Sequence, residues 1–222
     1  MSKKFLGEVI ATAFAVVCLA SLLFAGGAYV STTKSISPSP TVLVFVGDTM
    51  HGTAVHLGGG VFVTAKHNTA MAGLALKGQD GTVYHVKEVH AFANDVAFVV
   101  ADGGPEGKAT LACKADATPG VSVYTEGYPQ TRFFQRYAGT VASYVWGKEI
   151  GEPLSKYLTH GQMLDLFVSP GLSGAGVFTG DYSIVGMIVA LYAGQPLTPP
   201  LRVAVPASVI CGYKHALDTR PH

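Results

Sequence analysis

Charged residues are scarce in this sequence: Asp, Glu, Lys and Arg make up 13% of its 222 residues, and the formal net charge is +1. Proteins whose main partner is a nucleic acid carry an excess of basic residues, usually in a patch or stripe with aromatic residues between them. No such stripe occurs here, so we expect no nucleic-acid partner. The eight histidines and three cysteines show no spacing typical of a metal site, and we expect neither a metal nor a cofactor.

Helical patterns are nearly absent from the chain after residue 40. Short runs of apolar and β-branched residues, separated by glycines, predict strands instead. Because no helical crossovers connect these runs, they predict antiparallel barrels in an all-β fold. One helix is expected at about residues 206–217, where Pro206 suits the first helical turn. The expected strands are residues 41–46, 53–57, 60–64, 82–90, 96–101, 121–126, 135–145, 163–168, 176–179, 184–191 and 201–205.

The chain beyond the first 40 residues is long enough for two small β-barrels or for one large β domain. We place this domain at residues 41–222, with a first barrel at about 41–102 and a second barrel at about 119–205. Residues 102–118 between them are rich in Gly, Pro and Lys, a composition typical of a connection.

The first 30 residues hold a long apolar run, residues 9–30, which follows Lys3 and Lys4. A helix over this run rises 1.5 Å per residue and is long enough to cross a hydrocarbon core of about 30 Å. The positive charges predict a single-pass membrane anchor with a cytoplasmic N-terminus and an exported domain, periplasmic or extracytoplasmic. The alternative is a signal peptide cleaved near the small residues 26–28, which would make the protein secreted. Residues 31–40 are polar and predict a linker.

The strongest chemical signal lies in residues 169–178, where Ser173 stands among glycines on a turn before an apolar run. A nucleophilic hydroxyl needs close backbone approach and free N–H groups beside it, and glycines permit both. The backbone N–H groups of Gly171 and Ser173 are the natural donors for the negative oxygen that develops on a substrate. Since Gly-x-Ser-Gly turns are also common in ordinary loops, this segment alone does not establish catalysis.

Two upstream segments supply the other groups that a serine nucleophile needs. His67 ends a β-rich run, and Asp95 immediately precedes the apolar run at residues 96–100. Serine is a poor nucleophile at neutral pH, so a neighbouring imidazole, which titrates near pH ~6.5 when unperturbed, must take its proton. A carboxylate then holds one ring tautomer and stabilises the imidazolium. We therefore predict His67 as the base, Asp95 as the orienting carboxylate and Ser173 as the nucleophile.

Each of these three residues also has a simpler interpretation. His67 is one of eight histidines, Asp95 could cap the strand after it, and Ser173 could be an ordinary turn residue. Residues 171–175 also loosely match the Gly-x-Ser-x-Gly motif of α/β-hydrolases, but that fold needs a helix directly after the serine. A strand signal follows instead, so this alternative is not favoured. The remaining histidines are interpreted as solvated or structural: His51, His56, His85, His90, His160 and His215.

Three short motifs occur in the order His, Asp, Ser, at residues 64–67 (Thr-Ala-Lys-His), 94–97 (Asn-Asp-Val-Ala) and 170–174 (Pro-Gly-Leu-Ser-Gly). Together with residues 127–129 (Gly-Tyr-Pro) and 203–206 (Val-Ala-Val-Pro), they resemble the chymotrypsin-like serine peptidases, the trypsin fold of peptidase family S1. The style is closest to the HtrA-like bacterial forms and to viral and phage forms. The resemblance covers roughly residues 41–217. It implies two six-stranded antiparallel barrels with a C-terminal helix, and a His-Asp-Ser triad with an oxyanion hole.

The chain departs from the family pattern around the serine. Leu172 stands where a polar residue usually precedes the serine, and Ala175 and Gly176 replace Gly-Pro. Digestive members of the family use an aspartate before the serine to bind a newly freed N-terminus during activation. This chain has neither that aspartate nor an Ile-Val-Gly-Gly start, so we predict no zymogen cleavage of that kind.

The resemblance also implies a substrate pocket and a disulfide. Cys113 and Cys211 would lie in regions that approach each other in the resembled fold, and they could pair in an oxidising compartment. The pocket would be lined by the segment before the serine and by a late strand. Since none of its residues has a carboxylate to receive Lys or Arg, we expect cleavage after an apolar residue. These pocket residues are Phe167, Val168, Ser169, Val189, Ala190 and Leu191.

These observations predict a membrane-anchored serine endopeptidase that hydrolyses protein or peptide substrates through an acyl-enzyme intermediate. A different class with the same fold is a catalytically silent binding module tethered to a membrane. A third alternative is a phage or viral protease that cuts itself, which the compact domain allows. The presence of all three catalytic residue types favours the enzyme.

Overall fold

The structure, a computed structural model, describes residues 38–129, 133–146, 158–180, 182–192 and 201–220. The expected anchor at residues 9–30 lies outside the described residues, as does the linker up to residue 37. Within the described ranges, no helix combines the length and the apolar character needed to cross a membrane.

Six antiparallel strands close the first barrel. Their spatial order is β1-β2-β3-β6-β5-β4, and the pairing of β4 with β1 completes the ring. The pairing places residues 41–46 against the second strand and residues 43–46 against the fourth, so β1 has a partner on each edge. The strands are β1 (Thr41–Val46), β2 (Thr49–Gly58), β3 (Val61–Ala65), β4 (Leu74–Lys77), β5 (Val83–Ala91) and β6 (Val96–Ala101).

The strands β3 and β6 are apolar on both faces because each face meets a different core. Successive side chains of a strand point to opposite faces. Phe62 and Val99 pack inside the first barrel, whereas Val63 and Phe98 belong to a cluster that includes Phe178 and other residues of the second half. This second cluster joins the two halves of the domain, and it explains why these strands appear as continuous apolar runs in the sequence.

The second barrel is built from a seven-stranded sheet in the order β11-β8-β9-β10-β13-β12-β7. An additional antiparallel pairing of β11 with β12 closes six of these strands into a ring, and the short β7 lies parallel to β12 outside it. The strands are β7 (Thr110–Leu111), β8 (Ser122–Gly127), β9 (Gln135–Trp146), β10 (His160–Asp165), β11 (Gly176–Thr179), β12 (Ser183–Tyr192) and β13 (Leu201–Pro206). Two six-stranded antiparallel barrels and an all-β fold were expected, and both are confirmed.

One helix, α1 (Ala207–Asp218), follows directly after Pro206 at the end of the second barrel. Ile210 of this helix is fully buried in the cluster that joins the two halves. A disulfide links Cys211 of the helix to Cys113, which follows β7, with the two Cα atoms 5.7 Å apart. The helix is therefore fastened to the connection between the barrels both by packing and by a covalent bond.

The structure contains two strands that the sequence pattern did not predict, β4 and β7. The β4 segment, Leu74–Lys77, lacks β-branched residues, and it forms a strand because β1 and β5 hydrogen-bond to its two edges. Strand β10 begins at His160, whereas the pattern predicted residues 163–168. The apolar residues after its end, up to residue 168, belong to the loop that leads to Ser173.

The buried carboxylate of Glu126 connects the start of the domain to the second barrel. The Nε and Nη2 atoms of Arg136 donate to Oε2 of Glu126 at 3.0 and 2.7 Å. The hydroxyl groups of Ser39 and Thr41 donate to Oε1 of the same carboxylate. Because a buried carboxylate without partners is very costly, the two hydroxyl contacts hold residues 39–41 against β8, and the two contacts from Arg136 tie β9 to the same group.

Candidate active site

His67 and Asp95 are neighbours because their strands are paired. Strand β3 ends at Ala65, which faces Val96 at the start of β6, so the chain leaves both strands at one end of the barrel. His67 follows on a short 3₁₀ helix, Lys66–Thr69, and Asp95 lies on the turn that leads into β6. The backbone N–H of Lys66 donates to the carbonyl of Asp95 at 2.8 Å.

The carboxylate of Asp95 bonds to His67 through both of its oxygens. Its Oδ1 accepts the backbone N–H of His67 at 3.0 Å, and its Oδ2 lies 2.6 Å from the imidazole Nδ1. An ionised carboxylate only accepts hydrogen bonds, so Nδ1 carries the proton and Nε2 of a neutral ring is free to accept one. The imidazole is about half exposed (49%), whereas the carboxylate is largely covered (16%). The ring is therefore oriented, and one edge of it remains open to a substrate.

The loop that carries Ser173 is held against the segment that carries His67. The carbonyl of Ser173 accepts two hydrogen bonds, from the backbone N–H of Thr53 at 2.9 Å and from Nδ2 of Asn68 at 2.8 Å. Asn68 is the residue directly after His67, and it is buried. The structure thus brings together the three segments in which the base, the carboxylate and the nucleophile were predicted.

Thr53 on β2 holds the same loop at a second point. Its hydroxyl donates to the carbonyl of Gly171 at 2.7 Å and accepts the backbone N–H of Tyr128 at 3.3 Å. The carbonyl groups of Gly171 and Ser173, on either side of Leu172, therefore both accept hydrogen bonds from Thr53 of the first barrel. This contact orients the peptide groups around Ser173.

Two glycines of the loop are required by their surroundings. Gly174 has φ +87°, and a Cβ there would lie 2.1 Å from the carbonyl oxygen of Thr53. Gly171 has φ +95°, and a Cβ there would lie 2.3 Å from the carbonyl oxygen of Tyr128. Both distances are far below any van der Waals contact, and the backbone conformation itself disfavours side chains. The glycines around the serine therefore allow the close backbone approach that the sequence predicted.

Two backbone N–H groups of the serine loop have no acceptor among the described residues. The N–H of Leu172 donates to the carbonyl of Ser169 at 3.1 Å across a turn with Pro170 second and Gly171 third, the pattern of a type II turn. Among the backbone hydrogen bonds of the described ranges, none uses the N–H of Gly171 or Ser173 as its donor. These are the two N–H groups that were predicted to form an oxyanion hole.

Leu172 departs from the family pattern for a physical reason. Its side chain is fully buried in the core cluster of the second barrel, which also contains Val141, Val177 and Ile188. A polar residue in such a place would need a buried partner. In this chain the segment before the serine is fixed by apolar packing.

The predicted pocket residues lie in different environments. Phe167 is half exposed and packs on the ring of Tyr137 at 4.8 Å between centroids. Val168 and Val189 are buried in two separate core clusters, and Ser169 lies at the turn next to Pro170. The side chains of Ala190 and Leu191 lie outside the described part of the structure.

A cavity of about 580 Å³ adjoins His67 and Asp95. Its apolar wall comes from the end of β5, the following turn and the segment before β10, chiefly Val89, Phe92 and Leu158. The sequence analysis did not identify this cavity. The one signal for it is Phe92, an apolar residue placed three positions before Asp95 on a turn.

A larger cavity, of about 670 Å³, lies between two hairpins of the first barrel and the residues that follow β8. Tyr128 lines it and is buried, and its hydroxyl group has no hydrogen-bond partner among the described residues. Burial, with smaller contributions from the charges of Glu126 and Asp80, raises the pKa of Tyr128 to about 12. The phenol is therefore neutral at all ordinary pH values.

The remaining functional signals are few. In the described part of the chain, no group of three or more His, Cys, Asp or Glu side chains is arranged to hold a metal ion. His56 is buried, with Nδ1 2.8 Å from the carbonyl oxygen of Gly107, and His90 lies 2.9 Å from Glu88. Both histidines have structural contacts, away from Ser173.

The family model of the trypsin-like peptidase domain matches residues 52–187. The chain belongs to this family. No curated protein matches the sequence. Among solved structures, the HtrA-type protease AlgW with a decapeptide has a TM-score of 0.69 and 15% identity over 83% of this chain and 66% of that chain. A serine endoprotease from Yersinia pestis has a TM-score of 0.65 and 16% identity over 82% of this chain and 64% of that chain.

A third similar structure is Rv3671c from M. tuberculosis H37Rv, a serine-to-alanine mutant in an inactive form, with a TM-score of 0.66 and 16% identity. The match covers 82% of this chain and 89% of that chain. By contrast, this chain spans just under two thirds of the first two structures. At such identities the likeness shows the fold alone. The family match confirms the resemblance to chymotrypsin-like serine peptidases, and the structures that share the fold include HtrA-type proteases.

Proposed function

We propose that this protein is a membrane-anchored serine endopeptidase that cleaves peptide bonds with His67, Asp95 and Ser173. The observation that carries the proposal is the double hydrogen bond from His67 to Asp95, beside a loop whose serine carbonyl is bonded to Asn68. In this arrangement the carboxylate orients the imidazole and leaves its Nε2 open to a substrate.

In the proposed reaction, Oγ of Ser173 attacks the scissile carbonyl carbon while Nε2 of His67 takes the hydroxyl proton. Asp95 stabilises the imidazolium that forms. The negative oxygen of the tetrahedral intermediate accepts the N–H groups of Gly171 and Ser173, and one such donor typically lowers the barrier by about 2.7–4 kcal/mol.

The intermediate collapses when His67 returns its proton to the leaving amine. The amine departs with the C-terminal part of the substrate, and the N-terminal part remains as an ester on Ser173. Water then attacks this ester while His67 accepts one of its protons. The second tetrahedral intermediate collapses as His67 returns that proton to Oγ of Ser173, and the second product leaves as a carboxylic acid.

The substrate is proposed to be a protein or peptide with apolar residues near the cleaved bond. The cavity beside His67 has an apolar wall that would accept such side chains. The similar AlgW structure holds a decapeptide. None of the pocket residues inferred from the sequence would attract Lys or Arg, which supports cleavage after an apolar residue.

The membrane location is part of the proposal. Residues 9–30 would form the anchor, and the domain would lie on the exported side of the membrane. The disulfide between Cys113 and Cys211 supports an oxidising compartment, since such bonds are rare in reducing ones. Recovery of the intact N-terminus from membranes washed at alkaline pH would support the anchor. A soluble product beginning after residues 26–28 would show signal cleavage and a secreted protein.

The function is tested by labelling the full-length protein with a fluorophosphonate probe, which reacts covalently with activated serines. We expect labelling of the wild type and none of Ser173→Ala. Ser122→Ala, at an exposed position on β8, is the matched control and should label like the wild type. If the folded wild type does not react, the endopeptidase is excluded and the silent binding module becomes the better explanation.

A further inference from the structure

The side chain of Asn94 connects three distant parts of the domain. Its Oδ1 accepts the backbone N–H of Thr159 at 2.8 Å and the Thr159 hydroxyl at 3.0 Å. Its Nδ2 lies 2.8 Å from the hydroxyl oxygen of Tyr213 and donates to it. Asn94 itself belongs to the turn between β5 and β6, Thr159 precedes β10, and Tyr213 is on α1. The amide oxygen therefore accepts two hydrogen bonds and the amide nitrogen donates one, all at a single partly buried junction.

Asn94 and Asp95 both have left-handed backbone conformations, with φ +54° and +57°. Residues with a Cβ adopt this region at a cost in free energy, and they remain there only when surrounding contacts enforce it. The contacts around Asp95 come from its two hydrogen bonds to His67 and one to Lys66. In the described residues, the hydrogen bonds of Asn94 all come from its side-chain amide.

The partners of Asn94 are themselves held in place. The ring of Tyr213 stacks on Phe92 with centroids 4.9 Å apart, and Phe92 meets Phe98 edge to face at 5.9 Å. Two residues before Tyr213, Cys211 is linked to Cys113. The tyrosine hydroxyl is therefore a fixed acceptor, and the Asn94 amide is positioned by rigid neighbours.

We infer that Asn94 is a positioning residue, which acts by holding the strained turn so that the Asp95 carboxylate faces the imidazole of His67. The inference rests on the proposed function, because it assigns a role within the same base and carboxylate pair. The cavity beside His67 is lined by Asn94 and Thr159 as well, so the same contacts fix one wall of the cleft.

A simpler explanation is that asparagine is present only because it tolerates a positive φ. A glycine at this position separates the two explanations, since glycine adopts this backbone conformation without strain but has no side-chain amide. If backbone tolerance is the whole reason, Asn94→Gly should behave like the wild type. If the amide positions Asp95, Asn94→Gly should be impaired as strongly as Asn94→Ala.

The test measures fluorophosphonate labelling of full-length Asn94→Gly, Asn94→Ala and Tyr213→Phe over a range of probe concentrations. We expect the maximal labelling rate to fall about 10- to 100-fold for both Asn94 variants, because a misplacement of about 1 Å in a catalytic group can cost 100-fold. The probe concentration at half-maximal rate should stay within about twofold, because this small probe does not depend on a long cleft. Tyr213→Phe should show a smaller fall in the same direction.

Tyr124→Phe is the matched control for Tyr213→Phe. It likewise removes a phenol hydroxyl that has a protein hydrogen-bond partner, here the carbonyl of Gly180, which lies in the turn between β11 and β12. Its labelling rate should equal that of the wild type. Thermal unfolding of each variant shows whether it is folded, and if Asn94→Ala does not fold, Asn94→Gly and Tyr213→Phe carry the test.

A second measurement does not require activity. Proton NMR of the unlabelled protein should show a downfield resonance for the proton between Nδ1 of His67 and Asp95. We expect this resonance to move or to broaden in Asn94→Gly and to persist in Tyr124→Phe. An unchanged resonance in Asn94→Gly, or a wild-type labelling rate, would overturn the inference. A wild type that fails to label at all would overturn the proposed function instead, and the resonance would still decide the role of Asn94.

Discussion

Oδ2 of Asp95 lies 2.6 Å from Nδ1 of His67, while Oδ1 of the same carboxylate accepts the backbone N–H of that histidine. One carboxylate thus fixes both the ring and the main chain of the residue that it orients. The two residues are 28 positions apart in sequence, and the antiparallel pairing of β3 with β6 brings them together. The most direct test of the site changes this carboxylate.

Asp95→Asn should lower the rate of fluorophosphonate labelling by about 10³- to 10⁴-fold, because the amide no longer stabilises the imidazolium and favours the wrong tautomer. Asp102→Asn is the matched control, since Asp102 also accepts a histidine backbone N–H, that of His85 at 2.9 Å. The control should label at the wild-type rate. A loss of less than tenfold in folded Asp95→Asn would argue against a triad.

Gly174 and Gly120 form a matched pair for the glycine requirement in the serine loop. Their φ angles are +87° and +88°, but a Cβ would touch nothing within 4 Å at Gly120 and would collide with Thr53 at Gly174. Gly120→Ala should therefore cost only the backbone penalty of about 1–2 kcal/mol. Gly174→Ala should cost at least about 2 kcal/mol more, from overpacking. Urea unfolding measures both, and equal losses would contradict the collision.

The disulfide between Cys113 and Cys211 closes a loop with a sequence separation of 98 residues. Cross-links over loops of this length restrict the unfolded chain strongly. The double variant Cys113→Ser, Cys211→Ser should lower the free energy of unfolding by about 2–5 kcal/mol. The full chain has three cysteines, so thiol titration of unreduced, denatured protein should find only Cys18. Three reactive thiols would mean that the bond does not form.

Tyr128 should make stability depend on pH in the alkaline range. Its pKa in the folded protein is about 12, above the usual value of about 10 in the unfolded chain. Above about pH 10 the unfolded state releases this proton while the folded state keeps it, so unfolding becomes more favourable. The contribution of Tyr128 is complete below pH ~10 and is lost as pH rises towards about 12.

Tyr128→Phe should lack this alkaline loss, and urea unfolding between pH 7 and 11 measures the difference. At pH 7 the variant should be as stable as the wild type or up to about 1 kcal/mol more stable, because the buried hydroxyl has no partner in the described part of the structure. A large loss at pH 7 would show that the hydroxyl makes a contact that stabilises the fold.

Much of the architecture could be predicted from local pattern. Strands such as Val96–Ala101 and Gly176–Thr179 appear as apolar runs bounded by turn residues, and they form where the pattern placed them. Strand β4 could not be predicted in this way. Its residues have little intrinsic preference for a strand, and their conformation comes from pairing with β1 and β5.

In the candidate site, too, some residues could be identified from local sequence and others only from contacts between distant segments. The residue types and their order marked His67, Asp95 and Ser173, because each stands at a strand end or in a glycine-rich turn. Nothing local marked Thr53, and Asn94 entered only as the first residue of the Asn-Asp-Val-Ala motif, with no role assigned. The importance of both residues depends on contacts across the chain. Asn94 meets Tyr213 over 119 positions, and Thr53 meets Gly171 over 118. Neither contact follows from the neighbours of these residues in sequence.

The amino-acid order alone therefore specified which chemical groups this protein has and that short antiparallel strands would carry them, since apolar periodicity and glycine placement act over a few residues. The closure of two barrels decided which groups face each other and which backbone N–H groups stay free. It also decided that a left-handed turn would place a carboxylate against an imidazole. Such matters depend on packing between distant segments, where the free energy is set by contacts that exist only once the whole domain has folded.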